Sequence, residues 1–201
     1  MSTGKSNIVL IEKSIGSQRF AQIAKLGQII FHAKDLANLW QIREPNTLYV
    51  TLGRYVKKGL IFRIHKGFYA LKPVENLDSY QLGVKALSGY GYISAETVLA
   101  NNGIIFQNQP AITLISSHSK KFSIGHHQYH SRKLADKFLY NGAGIVDQRG
   151  IKIATVERAA ADILYFNSKA FFDAANLIDW KKVKKLQELI GYPKTSNKIL
   201  L

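Results

Sequence analysis

Apolar residues recur at helical spacing in three segments near the start of the chain, which predicts three helices. The first helix is expected from Ser17 to Leu26, because Gly27 follows it and glycine commonly ends helices. The second is expected to start at Phe31. The third is expected from Asn46 to Lys58, after Pro45, whose missing N–H is not needed at a helix start. Its buried stripe would consist of Leu48, Leu52, Tyr55 and Val56.

An alternating segment, LIFRIHKGFYAL, follows the third helix and is interrupted at His65-Lys66-Gly67. Glycine supplies the positive φ of a tight turn, so this pattern predicts a β-hairpin. Helix, helix, turn, helix and hairpin in this order predict a winged helix-turn-helix domain over residues 1–76.

The remaining residues, 77–201, predict a mixed α/β domain, so the fold class expected for the whole chain is α+β. Strands are expected at Ala111–Ser117 and at two or three places between Ile124 and Ile153. The tail KTSNKILL is expected to be loose. Helices are expected at Ser79–Leu87, Ser94–Asn101, Thr155–Phe166, Ala170–Leu177 and Asp179–Ile190.

The net charge of the chain limits the classes of molecule that it is expected to bind. The chain carries 28 Lys and Arg against 13 Asp and Glu, a formal net charge of +15, which favours polyanions such as nucleic acid. There is no Cys, which excludes disulfides and thiolate metal sites. The start of the chain lacks the apolar stretch of a secretory signal, and no segment approaches the ~20 apolar residues of a membrane span. We therefore expect a cytoplasmic protein without a membrane partner.

The third helix is the expected recognition helix, which in this class of domain lies in the major groove of double-stranded DNA. Arg54 could form two hydrogen bonds with guanine O6 and N7, and Asn46 could pair with adenine. Gly53 either allows a close approach to the DNA or is a tolerated surface glycine. The residues expected to contact bases are Asn46, Thr47, Tyr49, Val50 and Arg54. Those expected to contact phosphates, or else to be solvated surface groups, are Lys34, Arg43, Lys57, Lys58, Arg63, His65 and Lys66.

The second domain offers few candidates for chemistry. His126 and His130 could bind a metal if they shared a helix face, but the segment SIGHHQYHSRK has an extended or looped pattern and no nearby carboxylate. Arg158 and Asp162 have the i,i+4 spacing of a helical ion pair, and Glu157 lies in the favourable first turn. No phosphate-binding loop, catalytic triad or acidic cluster is present in the sequence. We therefore expect no catalytic residue, no metal, no cofactor and no enzymatic activity.

One more basic segment stands near the end of the chain. The predicted last helix presents Lys181, Lys182, Lys184 and Lys185, with Val183, Leu186 and Leu189 expected on its inner face. This helix either extends a nucleic-acid footprint or exposes a solvated charged face.

Three segments together resemble the AbiEi family, the antitoxins of type IV toxin–antitoxin (abortive-infection) systems. They are KKGLIFRIHKGFYAL, YISAETVLANNGIIFQNQPAITLISS and GIKIATVERAAADILYF, and the resemblance covers roughly Phe31 to Trp180. Where the family commonly has Thr-Pro-Glu-Arg-Ala, this chain has Val156 in place of the proline, which affects only the preference for a helix start.

The resemblance implies a winged-helix domain followed by a C-terminal antitoxin domain. It also implies repression of the protein's own operon through upstream inverted repeats. The partner would be a nucleotidyltransferase-like toxin, counteracted without a stable complex. Two alternatives stay open: a winged-helix regulator whose C-terminal domain senses a ligand in a buried polar pocket, and a nucleic-acid-processing enzyme, which would need clustered carboxylates.

Overall fold

The computed structural model describes residues 16–87, 89–107 and 109–193. The chain divides into two units, Met1–Leu77 and Asp78–Leu201, one residue beyond the division expected from the sequence. The tail expected to be loose, residues 194–201, lies outside the described residues. In the described part, no helix is long and apolar enough to cross a membrane.

Within residues 16–77, the first unit contains three α-helices, three short strands and a 3-10 turn at Val74–Asn76. Its helices are α1 (residues 16–25), α2 (Ala33–Trp40) and α3 (Pro45–Lys57), and its strands are β1 (Ile30–His32), β2 (Phe62–His65) and β3 (Phe68–Ala70). The strands form an antiparallel sheet in the order β1-β3-β2. The core between helices and sheet contains Ile23, Phe31, Ala33, Leu36, Trp40, Leu48, Leu52, Tyr55, Ile61 and Tyr69.

The predicted third helix and hairpin are confirmed, with α3 beginning one residue earlier than expected. The expected start of the second helix is wrong, because Phe31 lies in β1 and pairs with Tyr69 of β3. The first helix also buries less than its pattern indicated. Its expected apolar face was Phe20, Ile23, Ala24 and Leu26, of which only Ile23 is buried, and Leu26, beyond the last helical residue, is 43% exposed.

The second unit is built on one six-stranded mixed sheet in the order β6-β7-β5-β4-β9-β8. The pairs β4–β9 and β5–β7 are parallel, and the others are antiparallel. The strands are β4 (Gly91–Ile93), β5 (Ala111–Ser116), β6 (Lys120–Ile124), β7 (His127–Lys133), β8 (Ile145–Gln148) and β9 (Ile151–Ala154). The helices are α4 (Ser79–Lys85), α5 (Ala95–Asn101), α6 (Asp136–Leu139), α7 (Val156–Phe166) and α8 (Trp180–Ile190).

The two longest helices of this unit are capped at their starts. The Thr155 hydroxyl accepts a hydrogen bond from the Arg158 N–H before α7, and the Asp179 carboxylate accepts one from the Lys182 N–H before α8. These side chains satisfy backbone donors that have no partner within the helix. The starts predicted for both helices are therefore confirmed to within one residue.

The helix expected at Ala170–Leu177 is wrong, and only a 3-10 turn at Ala175–Leu177 is present. Neighbouring loops use the hydrogen-bonding groups of this segment instead. Asp173 accepts from the Phe106 N–H at 2.8 Å, and the Ala174 N–H donates to the Ile104 carbonyl oxygen at 3.1 Å. Tertiary partners thus replace the i→i−4 bonds that an α-helix requires.

The inner face of α8 also differs from its prediction. Leu189, expected inside, is 58% exposed, whereas Gln187 and Ile190 are buried beside Val183 and Leu186. With one small sheet under three helices and one larger sheet with its own helices, the chain is an α+β protein.

Candidate nucleic-acid interface

Helix α3 is held in place by one buried face. Leu48, Leu52 and Tyr55 are buried at i, i+4 and i+7, the spacing of neighbours on one side of a helix. The Tyr55 hydroxyl also donates a hydrogen bond to the Gly16 carbonyl oxygen at 2.9 Å, which joins α3 to α1. These contacts determine which residues of α3 point away from the core.

The opposite face of α3 carries the residues that the sequence predicts to contact bases. Tyr49 and Val50 are 42% and 55% exposed, so apolar surface lies among the polar groups there. Gly53 is exposed as well, and a Cβ at this position would meet no atom within 4 Å. The complete set of predicted base contacts is exposed: Asn46, Thr47, Tyr49, Val50 and Arg54.

The turn of the β2–β3 hairpin lies next to this face. A Cβ at Gly67 would be 3.8 Å from the Tyr49 hydroxyl oxygen, so the side chain of α3 reaches the hairpin turn. The Gly67 carbonyl oxygen accepts a hydrogen bond from the Ala33 N–H at 2.8 Å, which fixes the turn against the start of α2. Gly67 itself has φ +79°, a conformation that favours glycine. Helix face and hairpin turn therefore form one continuous surface.

The histidine at the hairpin tip is held by local contacts. The His65 ring packs on Phe68 with centroids 5.0 Å apart, and His32 stacks on the same Phe68 at 4.7 Å. The His65 Nδ1–H donates to the Lys66 carbonyl oxygen at 3.1 Å. Only the Nε2 of His65 is left for an external partner.

The basic residues expected at phosphates are all exposed: Lys34, Arg43, Lys57, Lys58, Arg63 and Lys66. Within residues 16–77, no Lys or Arg nitrogen lies within 4.0 Å of a described carboxylate oxygen. Burial raises the pKa of Tyr69, and the positive charge of nearby Arg63 opposes that rise. The surface of the first unit thus carries positive charges that no described ion pair neutralises.

A buried cluster of charged and hydroxyl side chains lies in the second unit, and the sequence predicts only part of it. The predicted Arg158–Asp162 ion pair is confirmed, with Nε and Oδ1 2.9 Å apart, but both side chains are completely buried. The i,i+4 spacing indicates the pair but not its burial. Two tyrosines and a serine that sequence analysis missed complete the cluster: Tyr92, Ser94 and Tyr192.

Every oxygen of Asp162 in this cluster is occupied. Oδ1 accepts from Arg158 Nε and from the Tyr192 hydroxyl at 2.6 Å, and Oδ2 accepts from the hydroxyls of Ser94 at 2.7 Å and Tyr92 at 3.0 Å. Burial, followed by the negative charge of Asp162, raises the pKa values of both tyrosines. The neutral tyrosines and Ser94 are donors to a carboxylate, so the buried charge of Asp162 is satisfied by hydrogen bonds.

Arg158 also ties the cluster to the loop after α6. Its Nη1 donates to the carbonyl oxygens of Asn141 at 3.0 Å and Ala143 at 2.8 Å, and its Nη2 donates to the Tyr92 hydroxyl. Gly144 passes close by with φ +72°, and a Cβ there would lie 2.8 Å from the Arg158 Cβ. This glycine therefore allows the loop to approach the arginine.

The clustered histidines His126, His127 and His130 of the second unit lie on a hairpin, as their pattern indicated. Gly125 and His126 form the turn between β6 and β7, and His127 and His130 belong to β7. Burial lowers the pKa of His130, and the neighbouring charges of Arg132 and Lys121 lower it further. Across the described residues, no group of three His, Asp or Glu side chains is placed to hold a metal ion.

The lysines of α8 are exposed, and one of them is paired. Lys182 Nζ lies 3.2 Å from a Glu157 carboxylate oxygen. Burial alone would raise the pKa of Glu157, but hydrogen bonds from its own backbone, Lys182 and Thr155 lower it overall. The other three, Lys181, Lys184 and Lys185, have no carboxylate of the described chain within 4.0 Å.

The chain is thus an α+β protein of two units, with an exposed basic surface formed by a helix and a hairpin in the first. No model of a known protein family matches it, and no curated protein matches its sequence. Its structure is similar to the crystal structure of the RV2827C protein from Mycobacterium tuberculosis, with a TM-score of 0.50. That similarity covers 90% of this chain and 72% of the other at 12% sequence identity, so it concerns the fold alone.

Proposed function

We propose that the first unit is a winged helix-turn-helix that binds double-stranded DNA, with α3 as the recognition helix and the β2–β3 hairpin as the wing. The element order supports this proposal: helix, strand, helix, helix, hairpin. Residues 41–44 join α2 to α3, a turn as short as those of helix-turn-helix proteins. Within it Gln41 has φ 53°, and the Ile42 N–H donates to the Ala37 carbonyl oxygen at 2.9 Å.

The observation that carries the proposal is the exposed face of α3. The buried Leu48, Leu52 and Tyr55 turn Asn46 and Arg54 outward, where an amide and a guanidinium can meet base edges. A helix of 13 residues is about 20 Å long, and the major groove admits a helix of ordinary width. The wing then places Arg63 and Lys66 near the phosphates that flank the groove.

We further propose that the protein is an antitoxin that represses its own operon by binding upstream inverted repeats, and that it acts in the cytoplasm without enzymatic activity. The resemblance to the AbiEi family supports this role. Under this proposal the second unit counteracts a nucleotidyltransferase-like toxin without forming a stable complex with it. Two of the segments that carry the resemblance meet in the buried cluster, one through Tyr92 and Ser94 and the other through Arg158 and Asp162. The two segments thus contact each other through these four side chains and help to hold the second unit together.

A salt-dependent DNA titration tests the proposal. The full chain is titrated with the DNA upstream of its own gene and with a scrambled duplex of equal length. Phosphate contacts alone give equal, steeply salt-dependent binding, whereas base readout separates the two duplexes by about 4–10 kcal/mol. If one protomer makes all of the phosphate contacts predicted for its six Lys and Arg residues, the slope of log K against log salt is about −5.

The variants for this titration are Arg54→Ala and a charge-matched control, Lys169→Ala, in an exposed loop of the second unit. Arg54→Ala should narrow the gap between the duplexes by about 1–3 kcal/mol, because a bidentate contact to guanine is lost. Lys169→Ala should leave the gap unchanged. Equal binding of both duplexes by the unmodified protein would contradict the proposal. The positive charge would then give the protein only a general affinity for polyanions.

A further inference from the structure

One row of exposed side chains runs along α8. Lys181, Lys185 and Leu189 are spaced by four positions, and residues at this spacing are neighbours on a helix, with Cβ atoms about 5–6 Å apart. Both lysines lack a carboxylate oxygen of the described chain within 4.0 Å. The exposed Glu188 follows Lys184 by four positions and so belongs to a neighbouring row. Two positive charges and an apolar side chain therefore lie along one line on the surface of the second unit.

This row ends beside an exposed aromatic ring. The Asn141 Nδ2–H donates to the Leu189 carbonyl oxygen at 2.9 Å, so the loop after α6 lies against the last turn of α8. Tyr140, the residue before Asn141, is 62% exposed, and its ring centroid lies 5.3 Å from that of Tyr90. Another flat ring that covered Tyr140 would remove its apolar surface from water.

Positive charges in a line and an exposed ring are the two parts of a surface that binds single-stranded nucleic acid. The charges attract the phosphates, and the ring stacks on a base, which has a free face only when it is unpaired. An anionic membrane would also attract the lysines, but a helix that binds a membrane surface inserts its apolar face. The apolar face of α8 is already buried, through Val183, Leu186 and Ile190. The surface therefore fits a nucleic acid better than a lipid.

We propose that this surface of the second unit binds single-stranded nucleic acid. Lys181 and Lys185 bind phosphates, a base stacks on the Tyr140 ring, and Tyr90 supports that ring from its other side. Double strands bind less well here, because their bases are already stacked on one another. The surface lies wholly within the second unit, so it does not depend on whether α3 binds double-stranded DNA.

Binding of short homopolymers by the full chain tests the proposal. The probes are fluorescein-labelled oligothymidylate and oligouridylate of about ten nucleotides, a length in the range of single-stranded sites, and affinity is measured by fluorescence anisotropy. Tyr140→Ala should weaken binding about fivefold or more, the lower limit for the loss of one stacked base. Lys185→Ala should reduce the slope of log K against log salt by about 0.7, because one phosphate contact is lost. If only one homopolymer shows these losses, it identifies DNA or RNA as the partner and supports the proposal.

Each variant has a matched control. Phe106→Ala removes another ring of the second unit, which is 71% exposed, and Lys169→Ala removes another exposed lysine; neither should change the affinity or the slope. Tyr140→Ala should bind a duplex of equal length as the unmodified protein does, because paired bases cannot stack on the ring.

The proposal is overturned if neither homopolymer binds, or if Tyr140→Ala and Lys185→Ala both bind as the unmodified protein does. It is also overturned if Phe106→Ala loses as much affinity as Tyr140→Ala. Losses that are seen with phosphatidylglycerol vesicles and not with the homopolymers would assign the surface to a membrane and overturn the proposal as well.

Discussion

Removing the Asp162 carboxylate should strongly destabilise the second unit. In Asp162→Ala the buried Arg158 guanidinium loses its counter-charge, and the hydroxyls of Tyr92, Ser94 and Tyr192 lose their acceptor. Leaving a buried charge unpaired costs about 3–5 kcal/mol, a large share of the ~5–15 kcal/mol that stabilises an ordinary domain. With a urea dependence of about 1–3 kcal/mol per M, the unfolding midpoint should fall by one to several M.

The two tryptophans allow this loss of stability to be assigned to one unit, since Trp40 lies in the first unit and Trp180 in the second. Trp180 packs against Phe172 and donates its indole N–H to the Ala175 carbonyl oxygen at 2.9 Å. The 19F NMR signal of 5-fluorotryptophan at Trp180, followed through a urea titration, therefore reports unfolding of the second unit.

A surface control and a double-mutant cycle make the measurement decisive. Glu188→Ala, at an exposed position of α8, should change the free energy of unfolding by less than about 0.5 kcal/mol. Arg158→Met and Asp162→Leu together remove both charges, so the double variant should show a coupling energy of about 1–3 kcal/mol relative to the two single ones. A loss below about 1 kcal/mol in Asp162→Ala, or no coupling, would refute the reasoning.

Three other predictions follow from single positions. Gly53→Ala should stabilise α3 by up to about 1 kcal/mol, seen as a higher midpoint of the Trp40 signal, because its Cβ meets no atom. Gly144→Ala should destabilise the second unit by about 2–4 kcal/mol in urea titrations, since φ is +72° and the Cβ would clash with Arg158; a loss no larger than that of Gly142→Ala would contradict this. Above pH 10 the free energy of unfolding should fall by up to ~1.4 kcal/mol per pH unit for each of Tyr92 and Tyr192. Their raised pKa values keep them protonated in the native state while they ionise in the unfolded chain, and a flat alkaline stability curve would show that reasoning to be wrong.

Local patterns in the sequence were sufficient for the parts of the fold that local forces determine. The buried stripe of α3 and the turn at Gly67 depend on residues within a few positions of one another, and the structure confirms both, except that Val56 of the stripe is only partly buried. Strand β1 has only three residues, and its register with β3 pairs Ile30 with Ala70, so nothing nearby in the sequence indicates it. The helix predicted from Ala170 onward is wrong because loops distant in the sequence form hydrogen bonds with the groups of this segment.

In the candidate sites, too, local features were predictable from the sequence and contacts between distant residues were not. The exposed set on α3 follows from helical periodicity alone, and each of its residues lies on the surface as expected. The buried cluster joins Tyr92 to Asp162 across 70 positions, and the pairing of Arg132 with Glu96 spans 36. A charged or hydroxyl side chain carries no local sign of such a partner, and only the packing of α5 and α7 against the sheet brings these residues together.

The central claim, that Arg54 on α3 contacts a base edge, is tested most directly by changing single atoms of the DNA. Once footprinting has located the protected site upstream of the gene, each guanine in it is replaced in turn by 7-deazaguanine, which lacks the N7 acceptor. We expect one guanine per half-site at which this replacement weakens binding of the unmodified protein by about 1–3 kcal/mol but has no further effect on Arg54→Ala. Equal losses in both proteins at every guanine would contradict the claim.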